Sequence, residues 1–442
     1  MSESLDIPDS WLHLTLGEVI DYGRTTKVEP SEISSDSWVL ELEDIEKDTS
    51  RVSQRLSFAQ RQSKSTKNRF SVGDVLYGKL RPYLNKVLLA ARDGYCSTEI
   101  LPLTPNQSID GRFLFYWLKH PQFLKYAESA SHGLNMPRLG TEAGQQAPFV
   151  LAPLDEQKRI ADKLDELFGR IDACRDRLDR VSLIVKRFRQ AVLDAATSGQ
   201  LTEDWRTEHE ALDSADGIEE ELTEFNFKDA AYFGDFRFPA SWNVARLGEI
   251  AEIGGGITKD SKKQASTDEE LPYLRVANVQ RGFLDLSEIK MIRVPQYRVE
   301  GLLLNRGDIL FNEGGDIDKL GRGWVWNGEI ERCTFQNHVF RVRLYNELFE
   351  PKFFSWYGNT RGANYFLSVG KQTTNLASIN KSLLSALPVA IPPAAEQQEI
   401  VRQVELLFAY TDRLEAHYQN AYTQVEQLVP MLLSKAFRGE LA

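Results

Sequence analysis

The amino-acid sequence repeats itself, and this repeat limits the possible folds more than any other feature. Three short motifs each occur twice in the same order, and the distance between copies grows along the chain, as loop insertions in the second copy would produce. The pairs are Pro8-x-Ser10-Trp11 with Pro239-x-Ser241-Trp242, Gly73-Asp74-Val75-Leu76 with Gly307-Asp308-Ile309-Leu310, and Pro153-x-x-Glu156-Gln157 with Pro393-x-x-Glu396-Gln397. The chain is therefore predicted to contain two copies of one structural unit.

Each copy ends in a long segment whose apolar residues step by four and three, the spacing of a coiled-coil helix. The predicted seam positions are Ile160, Leu164, Leu167, Ile171, Cys174, Leu178, Val181, Val185, Phe188 and Val192 in the first copy, and Ile400, Val404, Leu407, Thr411, Leu414, Tyr418, Ala421, Val425, Leu428 and Leu432 in the second. The first of these helices is predicted to run from Asp155 to Ser198, 44 residues or about 66 Å at ~1.5 Å per residue.

Proline and glycine mark the ends of both helices. Pro153 and Pro393 precede the first turns, and Gly199 and Gly439 are predicted to end the helices in the left-handed conformation. Pro430 lies inside the second helix, where we expect a kink or a break.

Each globular part mixes strand-like and helical segments, which predicts an α+β fold with two divergent domains. The two helices are predicted to pair with each other as an antiparallel coiled coil with an approximate twofold axis; pairing between two molecules is the alternative. The predicted boundaries are 1–150 for the first globular domain, 151–200 for the first helix, 201–235 for an acidic linker, 236–390 for the second globular domain and 391–442 for the second helix.

The net charge of −11 hides a strongly basic segment. Residues 201–235 carry 12 acidic and 2 basic side chains, whereas residues 51–92 carry ten basic side chains and one acid, Asp74. Such a basic run is typical of a phosphate-binding surface. The alternative is that these cations pair with the acidic residues that precede them.

No catalytic constellation is found. Gly73 to Lys79 resembles a Walker A loop, but Leu80 stands where the Mg²⁺-binding hydroxyl belongs, and a strand and turn are expected instead. The six histidines show no metal-binding spacing, and the three cysteines form no pair, which is typical of a reducing cytoplasm. Neither a secretory signal nor a membrane segment is predicted.

The repeat and its helix motifs resemble one family, the specificity subunits of type I restriction–modification systems. The resemblance is carried by both helix starts, Leu151-Ala-Pro-Leu-Asp-Glu156-Gln157 and Ile391-Pro-Pro-Ala-Ala-Glu396-Gln397, and by both helix ends, Lys186-Arg-Phe-Arg to Gly199-Gln-Leu-Thr-Glu-Asp-Trp205-Arg and Leu433-Ser-Lys-Ala-Phe-Arg-Gly439-Glu-Leu. It spans essentially the whole chain, with Ala152 and Ala394 as departures from the family pattern.

This resemblance implies a non-catalytic, cytoplasmic DNA-binding subunit used in phage defence. Each globular domain would be a target-recognition domain that reads one half of a bipartite, asymmetric site in double-stranded DNA. The paired helices would set the spacer and dock two modification subunits, which methylate adenine N6 with S-adenosylmethionine. Two restriction subunits that use ATP and Mg²⁺ complete the nuclease in such systems. The alternative is a non-catalytic coiled-coil protein-interaction scaffold outside a restriction system.

Candidate DNA contacts combine phosphate-holding cations with side chains that pair with base edges. In the first domain they are Arg61, Lys64, Lys67, Arg69, Lys79, Arg81, Tyr83, Asn85, Lys86, Asn135 and Arg138. In the second domain they are Lys259, Lys262, Lys263, Arg275, Asn278, Asn312, Lys319, Arg322, Lys371, Gln372, Thr373 and Asn375. A solvated hairpin is the alternative for the segment from Gly78 to Lys86. On the helices, Lys186, Arg187 and Arg189 remain for partner subunits or spacer DNA.

Overall fold

A computed structural model describes residues 6–133, 135–209, 238–259, 264–315, 320–372 and 377–441. The chain divides into two compact units. Unit 1 consists of Met1–Arg180 and Tyr418–Ala442, and unit 2 consists of Val181–His417. Each unit contains one globular head, called head 1 (residues 6–152) and head 2 (residues 238–392), and a part of both long helices. The first long helix is Leu154–Ser198 and the second is Ala394–Ala436.

Head 1 contains three sheets and short helices. A two-stranded sheet joins Leu12–Thr15 to Pro148–Leu151. A five-stranded sheet has the order Thr26–Val28, Lys67–Phe70, Gly94–Cys96, Trp38–Leu40, Leu56–Ser57. A three-stranded sheet has the order Val87–Leu89, Val75–Gly78, Ile100–Leu103. The α-helices are Leu16–Val19, Phe58–Arg61, Gly111–Leu118, Pro121–Ser129 and Thr141–Gln145.

Head 2 repeats the same plan with different sheets. A two-stranded sheet joins Asn243–Arg246 to Pro388–Ile391. A four-stranded sheet has the order Ala251–Gly255, Val339–Leu344, Ile309–Asn312, Gly323–Val325. Two three-stranded sheets have the orders Lys290–Val294, Glu269–Leu274, Thr334–Phe335 and Gly314–Gly315, Ala377–Ser378, Lys371–Gln372. Its α-helices are Leu247–Ile250, Val299–Leu302, Pro351–Asn359, Arg361–Val369 and Lys381–Ser385. The mixed α+β character predicted from the sequence is confirmed in both heads.

The repeated tryptophan and glutamate meet at the start of each long helix. In unit 1 the indole Nε1 of Trp11 donates to Glu156 Oε2 at 2.5 Å. In unit 2 Trp242 Nε1 donates to Glu396 Oε2 at 2.8 Å, and the buried Glu396 carboxylate also accepts from Thr202 and Arg206. Glu396 has several donors because its carboxylate is buried, whereas Glu156 is only partly buried.

The neighbouring glutamine of each motif ties the head to its helix. Gln157 Oε1 accepts from the backbone N–H of Asp110, which begins the helix Gly111–Leu118, at 2.9 Å. Gln397 Oε1 accepts from the backbone N–H of Glu350 at 2.9 Å, at the start of the helix Pro351–Asn359. Both glutamine side chains are buried, and each one pairs with the backbone group at the start of a head helix.

The glycines that follow the long helices have positive φ angles, as predicted, with φ of 81° at Gly199 and 75° at Gly439. They also contact the repeated prolines. A Cβ on Gly199 would lie 2.5 Å from Pro239 Cγ, and a Cβ on Gly439 would lie 2.6 Å from Pro8 Cγ. Each head therefore packs on the start of one long helix and on the end of the other.

The two long helices run antiparallel where they pair within each unit. In unit 1, Ile160 and Leu164 share a core with Leu433 and Phe437, and Arg175 Nε donates to Glu426 Oε1 at 2.8 Å. In unit 2, Val192 and Ala196 share a core with Ile400 and Val404, and Arg189 Nε donates to Thr411 Oγ1 at 2.9 Å. The predicted intramolecular coiled coil is confirmed.

The predicted seam is wrong near the middle of the helices. Leu414 is 54% exposed and Leu428 is 38% exposed, and Cys174 and Phe188 are also exposed. The side chains of Arg175 and Arg189 take the inward positions, at 10% and 31% exposure. A straight α-helix has 3.6 residues per turn, so residues repeated every seven positions drift around the helix axis by ~20° per heptad. After several turns these residues are exposed to solvent.

One further expectation is corrected by the second long helix. The second long helix continues through Pro430 without a break, because Val429 and Leu433 on either side pack against the core of unit 1. Within the predicted acidic linker, Glu203–His209 forms a short helix. Residues 210–237 lie outside the described residues.

The contact between Gly199 and Pro239 predicts opposite effects for two glycine-to-alanine substitutions. Gly199→Ala should lower the free energy of unfolding by about 1 kcal/mol or more, because alanine is strained at positive φ and its Cβ meets Pro239. Gly169→Ala, inside the first long helix with open space around its Cβ, should raise it by ~0.5–1 kcal/mol. Denaturant unfolding of the two variants measures both; equal destabilisation would contradict the role of Gly199.

Candidate nucleic-acid interface

Two candidate loops of head 1 come together into one surface, which we call the ridge (residues 79–86 and 135–138). The backbone N–H of Arg81 donates to the carbonyl of Pro137 at 2.7 Å, and Leu139 N–H donates to the carbonyl of Lys79 at 3.0 Å. A bridge also joins Leu80 to Arg138. These backbone bonds hold the two loops in one conformation.

The ridge presents polar, cationic and aromatic side chains to solvent. Arg81 and Asn135 are exposed, Tyr83 is 45% exposed, and Arg138 pairs with Glu99 at 3.0 Å. Hydrogen bonding to Glu99 raises the pKa of the Arg138 guanidinium, which stays charged. Arginine and asparagine side chains match the base edges of guanine and adenine, so the ridge carries the groups that base recognition needs.

Other candidates from the basic segment lie inside head 1, and these predictions are corrected. Arg61 forms an ion pair with the fully buried Asp44, and Lys67 Nζ lies 2.9 Å from Glu41 Oε1 with its side chain 3% exposed. Pairing with a carboxylate offsets the cost of taking each cation out of water. The alternative interpretation of the basic run, pairing with preceding acids, holds at these two positions.

Asn85 and Lys86 also serve the fold. Asn85 is 7% exposed and adopts a φ of 49° at the end of the turn Pro82–Leu84, so its side chain does not face a ligand in solvent. Lys86 Nζ donates to the carbonyl of Leu42 at 2.9 Å, and partial burial lowers the pKa of its ammonium group.

Lys64 and Arg69 remain exposed. Arg69 stands in register with Thr26 on one neighbouring strand and with Tyr95 on the other, so these three side chains lie on the same face of the five-stranded sheet. The sequence argument missed Tyr95 and the exposed Lys27. Lys27 lies in residues 1–50, which have 13 acids and 3 basic residues, and only strand pairing brings it beside the basic strand Lys67–Phe70.

In head 2, the two candidate asparagines that the structure describes are buried, and their assignment to DNA contact is wrong. Asn278 is 3% exposed; it accepts from Arg275 N–H and donates to the carbonyls of Asp285 and Glu288. Asn312 is fully buried and donates to the carbonyl of Val279 at 2.9 Å. Amide side chains take these positions because they satisfy backbone groups in a turn away from water.

The remaining candidates of head 2 are divided between the surface and undescribed segments. Arg275 pairs with Glu288 at 3.1 Å, Arg322 donates to the carbonyl of Val276 at 3.2 Å, and Lys259 is exposed. For Lys371 and Gln372 the structure describes a strand that pairs with Ala377–Ser378. Outside the described residues lie Lys262, Lys263, Lys319, Thr373 and Asn375.

Comparison with known proteins decides the family. The family model of the type I restriction modification DNA specificity domain matches residues 8–182 and 239–424, which cover both copies of the repeat. The chain belongs to the type I restriction–modification specificity subunits. The resemblance seen in the helix motifs is thereby confirmed.

Curated relatives and solved structures agree with this family. This specificity subunit is 30% identical over 344 residues to that of the type I restriction enzyme StySPI from Salmonella potsdam, and 28% identical over 342 residues to that of EcoKI from Escherichia coli K12; each match covers 77% of this chain and 67% of the relative.

The fold agrees with solved structures over nearly the full length. A chain from a type I restriction–modification complex matches with a TM-score of 0.67 at 16% identity, over 99% of this chain and 100% of that one. The specificity subunit from Thermoanaerobacter tengcongensis matches with a TM-score of 0.55 at 19% identity, over 98% of each chain.

The Walker-like segment of this specificity subunit is a turn and a strand, as expected. Gly73 has a φ of 89°, Asp74 accepts from the backbone N–H of Ser71 at 2.8 Å, and the strand Val75–Gly78 follows. Within the described residues, no cluster of three potential metal ligands occurs, and no helix is long and apolar enough to cross a membrane.

The buried pair of Arg61 and Asp44 predicts a stability effect where the sequence suggested a DNA contact. Burial raises the pKa of the Asp44 carboxyl, but hydrogen bonds from Arg61, Glu41 N–H and Gln54 lower this pKa overall. The pair therefore stabilises the fold at pH values above the pKa of Asp44 in the unfolded chain. This stabilisation is lost as the pH falls through the lowered pKa of the folded state. Arg61→Met should lower the free energy of unfolding at pH 7 by about 3 kcal/mol or more.

Lys64→Met is the matched control, since Lys64 is exposed three residues away. Its free energy of unfolding should stay within about 0.5 kcal/mol of the parent. Chemical denaturation at pH 7 gives both values, and an Arg61→Met protein as stable as the parent would refute the structural role.

Proposed function

We propose that this chain is the DNA-binding specificity subunit of a type I restriction–modification complex, and that each head reads one half of a bipartite, asymmetric site. The observation that carries this proposal is the match of the DNA specificity domain to both copies of the repeat. Two heads attached by the same motifs to the same pair of helices fit a protein that reads two half-sites at a fixed spacing.

The difference between the heads supports an asymmetric site. Head 1 has a five-stranded sheet with the exposed Arg69 on the strand Lys67–Phe70. Head 2 instead places the short helix Val299–Leu302 between its strand Lys290–Val294 and the corresponding Gly307-Asp308 turn. Because different side chains face solvent, the heads would recognise different bases.

The length of the long helices supports a role in setting the spacer. The first long helix is continuous over 45 residues, which corresponds to about 67 Å. It begins at the core of unit 1 and ends in the core of unit 2, and the second long helix does the reverse. In the proposed complex these helices would set the gap between the half-sites.

An apolar surface on the helix pair of unit 2 supports docking of a modification subunit. On the second long helix Leu406, Tyr410 and Leu414 are 49%, 55% and 54% exposed, and their spacing of four residues places them along one face. On the first long helix Ile184 and Phe188 are 62% and 43% exposed, one turn apart. We call these five residues the docking face.

The two apolar rows lie on the same side of the helix pair. On each helix, the exposed apolar row is rotated about the helix axis, in the same sense, away from the buried positions. Because the two helices are antiparallel, equal rotations bring both rows to the same side of the pair. The contact of Arg189 with Asp412 and Glu415 brings Phe188 level with Leu414. Contiguous exposed apolar surface of this kind marks protein–protein contact.

In the proposed complex, this chain supplies recognition and its partners supply catalysis. Two modification subunits would dock on the helices and methylate adenine with S-adenosylmethionine, and two restriction subunits using ATP and Mg²⁺ would complete a nuclease. Arg187 and Arg413 border the docking face, and neither forms an ion pair within the described part of the chain. Acidic groups on the modification subunit would therefore be favoured around it.

Methylation mapping tests the proposed function directly. Co-expression of this chain with its modification subunit, in a host without adenine methylation, should produce N6-methyladenine in one bipartite motif with a constant gap. The modification subunit alone should produce none. A complex that forms without any such motif would reject DNA recognition and favour the protein-interaction scaffold.

The docking face predicts a loss of subunit association. Leu414→Glu should weaken binding of the modification subunit by at least about tenfold, because a charge is buried in an apolar contact. Leu348→Glu is the matched control, since Leu348 is 55% exposed on head 2 and outside the docking face. Pull-down and sedimentation measure the association, with melting curves to show that both variants fold; equal binding by the two variants would exclude this face.

A further inference from the structure

A polar cleft in head 1 has no assigned role. It has a volume of about 730 Å³ and lies beside the ridge, with Lys79 and Arg138 belonging to both. Its other walls include Lys27 and Thr66 from two paired strands, and Thr141 from the short helix Thr141–Gln145. Hydroxyl and cationic groups surround the space, so its chemistry suits a charged ligand better than an apolar one.

Three cations and one carboxylate line the cleft, and one of the cations, Arg138, is paired with Glu99. No carboxylate lies within 4.0 Å of the ammonium groups of Lys27 or Lys79 among the residues that the structure describes. Glu29 is the acidic residue of the cleft wall, and its Oε1 accepts from the Thr66 hydroxyl at 3.1 Å. Two ammonium groups without a nearby carboxylate, together with the hydroxyl groups of the cleft wall, attract an anion.

The floor of the cleft contains an unsatisfied hydrogen-bond acceptor. Asn68 is 2% exposed, and its Nδ2 donates to the carbonyl of Ile100 at 2.9 Å, which fixes the orientation of the amide. Its Oδ1 is buried and has no hydrogen-bond partner. Water does not reach this oxygen, so the amide closes the floor of the cleft and makes no contact with a ligand.

The position of Lys27 follows from the sheet register. Lys27 stands opposite Asn68 on the edge strand Thr26–Val28, and its side chain is exposed at the mouth of the cleft. The edge strand therefore carries a cation toward the same space that Lys79 reaches from the ridge.

We propose that this cleft binds a phosphodiester of the DNA backbone through Lys27 and Lys79 while the adjacent ridge contacts the bases. The proposal rests on the proposed DNA-binding function and adds the phosphate site to it. Base recognition requires a register on the duplex, and phosphate contacts set that register without carrying sequence information. Because the ridge and the cleft share Lys79 and Arg138, a phosphate held in the cleft fixes how the ridge meets the groove.

The test is the salt dependence of DNA binding by the full chain in complex with its modification subunit. The probes are a duplex carrying the mapped methylation motif and a scrambled duplex of equal length. Lys27→Gln should weaken binding to both duplexes and reduce the slope of log affinity against log salt by ~0.9, the value for one lost phosphate contact. The methylated motif should stay the same. Lys125→Gln, an exposed lysine on the helix Pro121–Ser129 of the same head, is the charge-matched control and should leave the slope unchanged.

Each result decides a separate point. An unchanged slope for Lys27→Gln overturns the phosphate site, and a changed first half of the motif overturns it as well, because Lys27 would then read a base. If Lys27→Gln instead abolishes binding of inorganic phosphate without altering the DNA slope, the cleft serves a free anion and the DNA assignment is overturned. Failure of the parent protein to prefer the motif duplex would reject the proposed function itself.

Discussion

The hydrogen bond between a tryptophan and a glutamate at the start of each long helix is the contact on which the architecture depends. A carboxylate away from water is tolerated only when donors surround it, and Glu396 has three: Trp242, Thr202 and Arg206. Hydrogen bonds to a charged group contribute about 1.5–3 kcal/mol each. Because Trp242 precedes the first strand of head 2 and Glu396 begins the second long helix, this cluster closes the head onto the helix.

The other repeated residues extend the same attachment. Gln157 and Gln397 hold the start of a head helix, while Pro8 and Pro239 pack on the glycines that end the opposite long helices. The first and last strands of each head pair with each other, so both ends of the head meet at its attachment. Sequence beyond this base is free to diverge, which explains why the motifs repeat although the sheets of the two heads differ.

Much of the scaffold could be predicted from the sequence, because local chemistry governs it. The first long helix was expected from Asp155 and begins at Leu154, and the left-handed conformations of Gly199 and Gly439 were anticipated from residue type. The mixed fold of the heads and the turn at Gly73 were also predictable. The exposure of Leu414 and Phe188 was not, because a pattern of apolar residues does not show how far a straight helix rotates over several turns.

The candidate DNA-contacting side chains divide in the same way. The sequence alone determined the repeat, the two long helices, the family and the position of a basic segment in head 1, since these depend on residue type and spacing along the chain. Tertiary structure decided which polar residues reach solvent: Arg61, Lys67, Asn278 and Asn312 lie inside, whereas Arg81, Asn135 and Lys27 lie outside. The reason is that burial and ion pairing depend on strands and loops distant in sequence, as when Asp44 neutralises Arg61 or the strand of Asn68 brings Lys27 to the cleft.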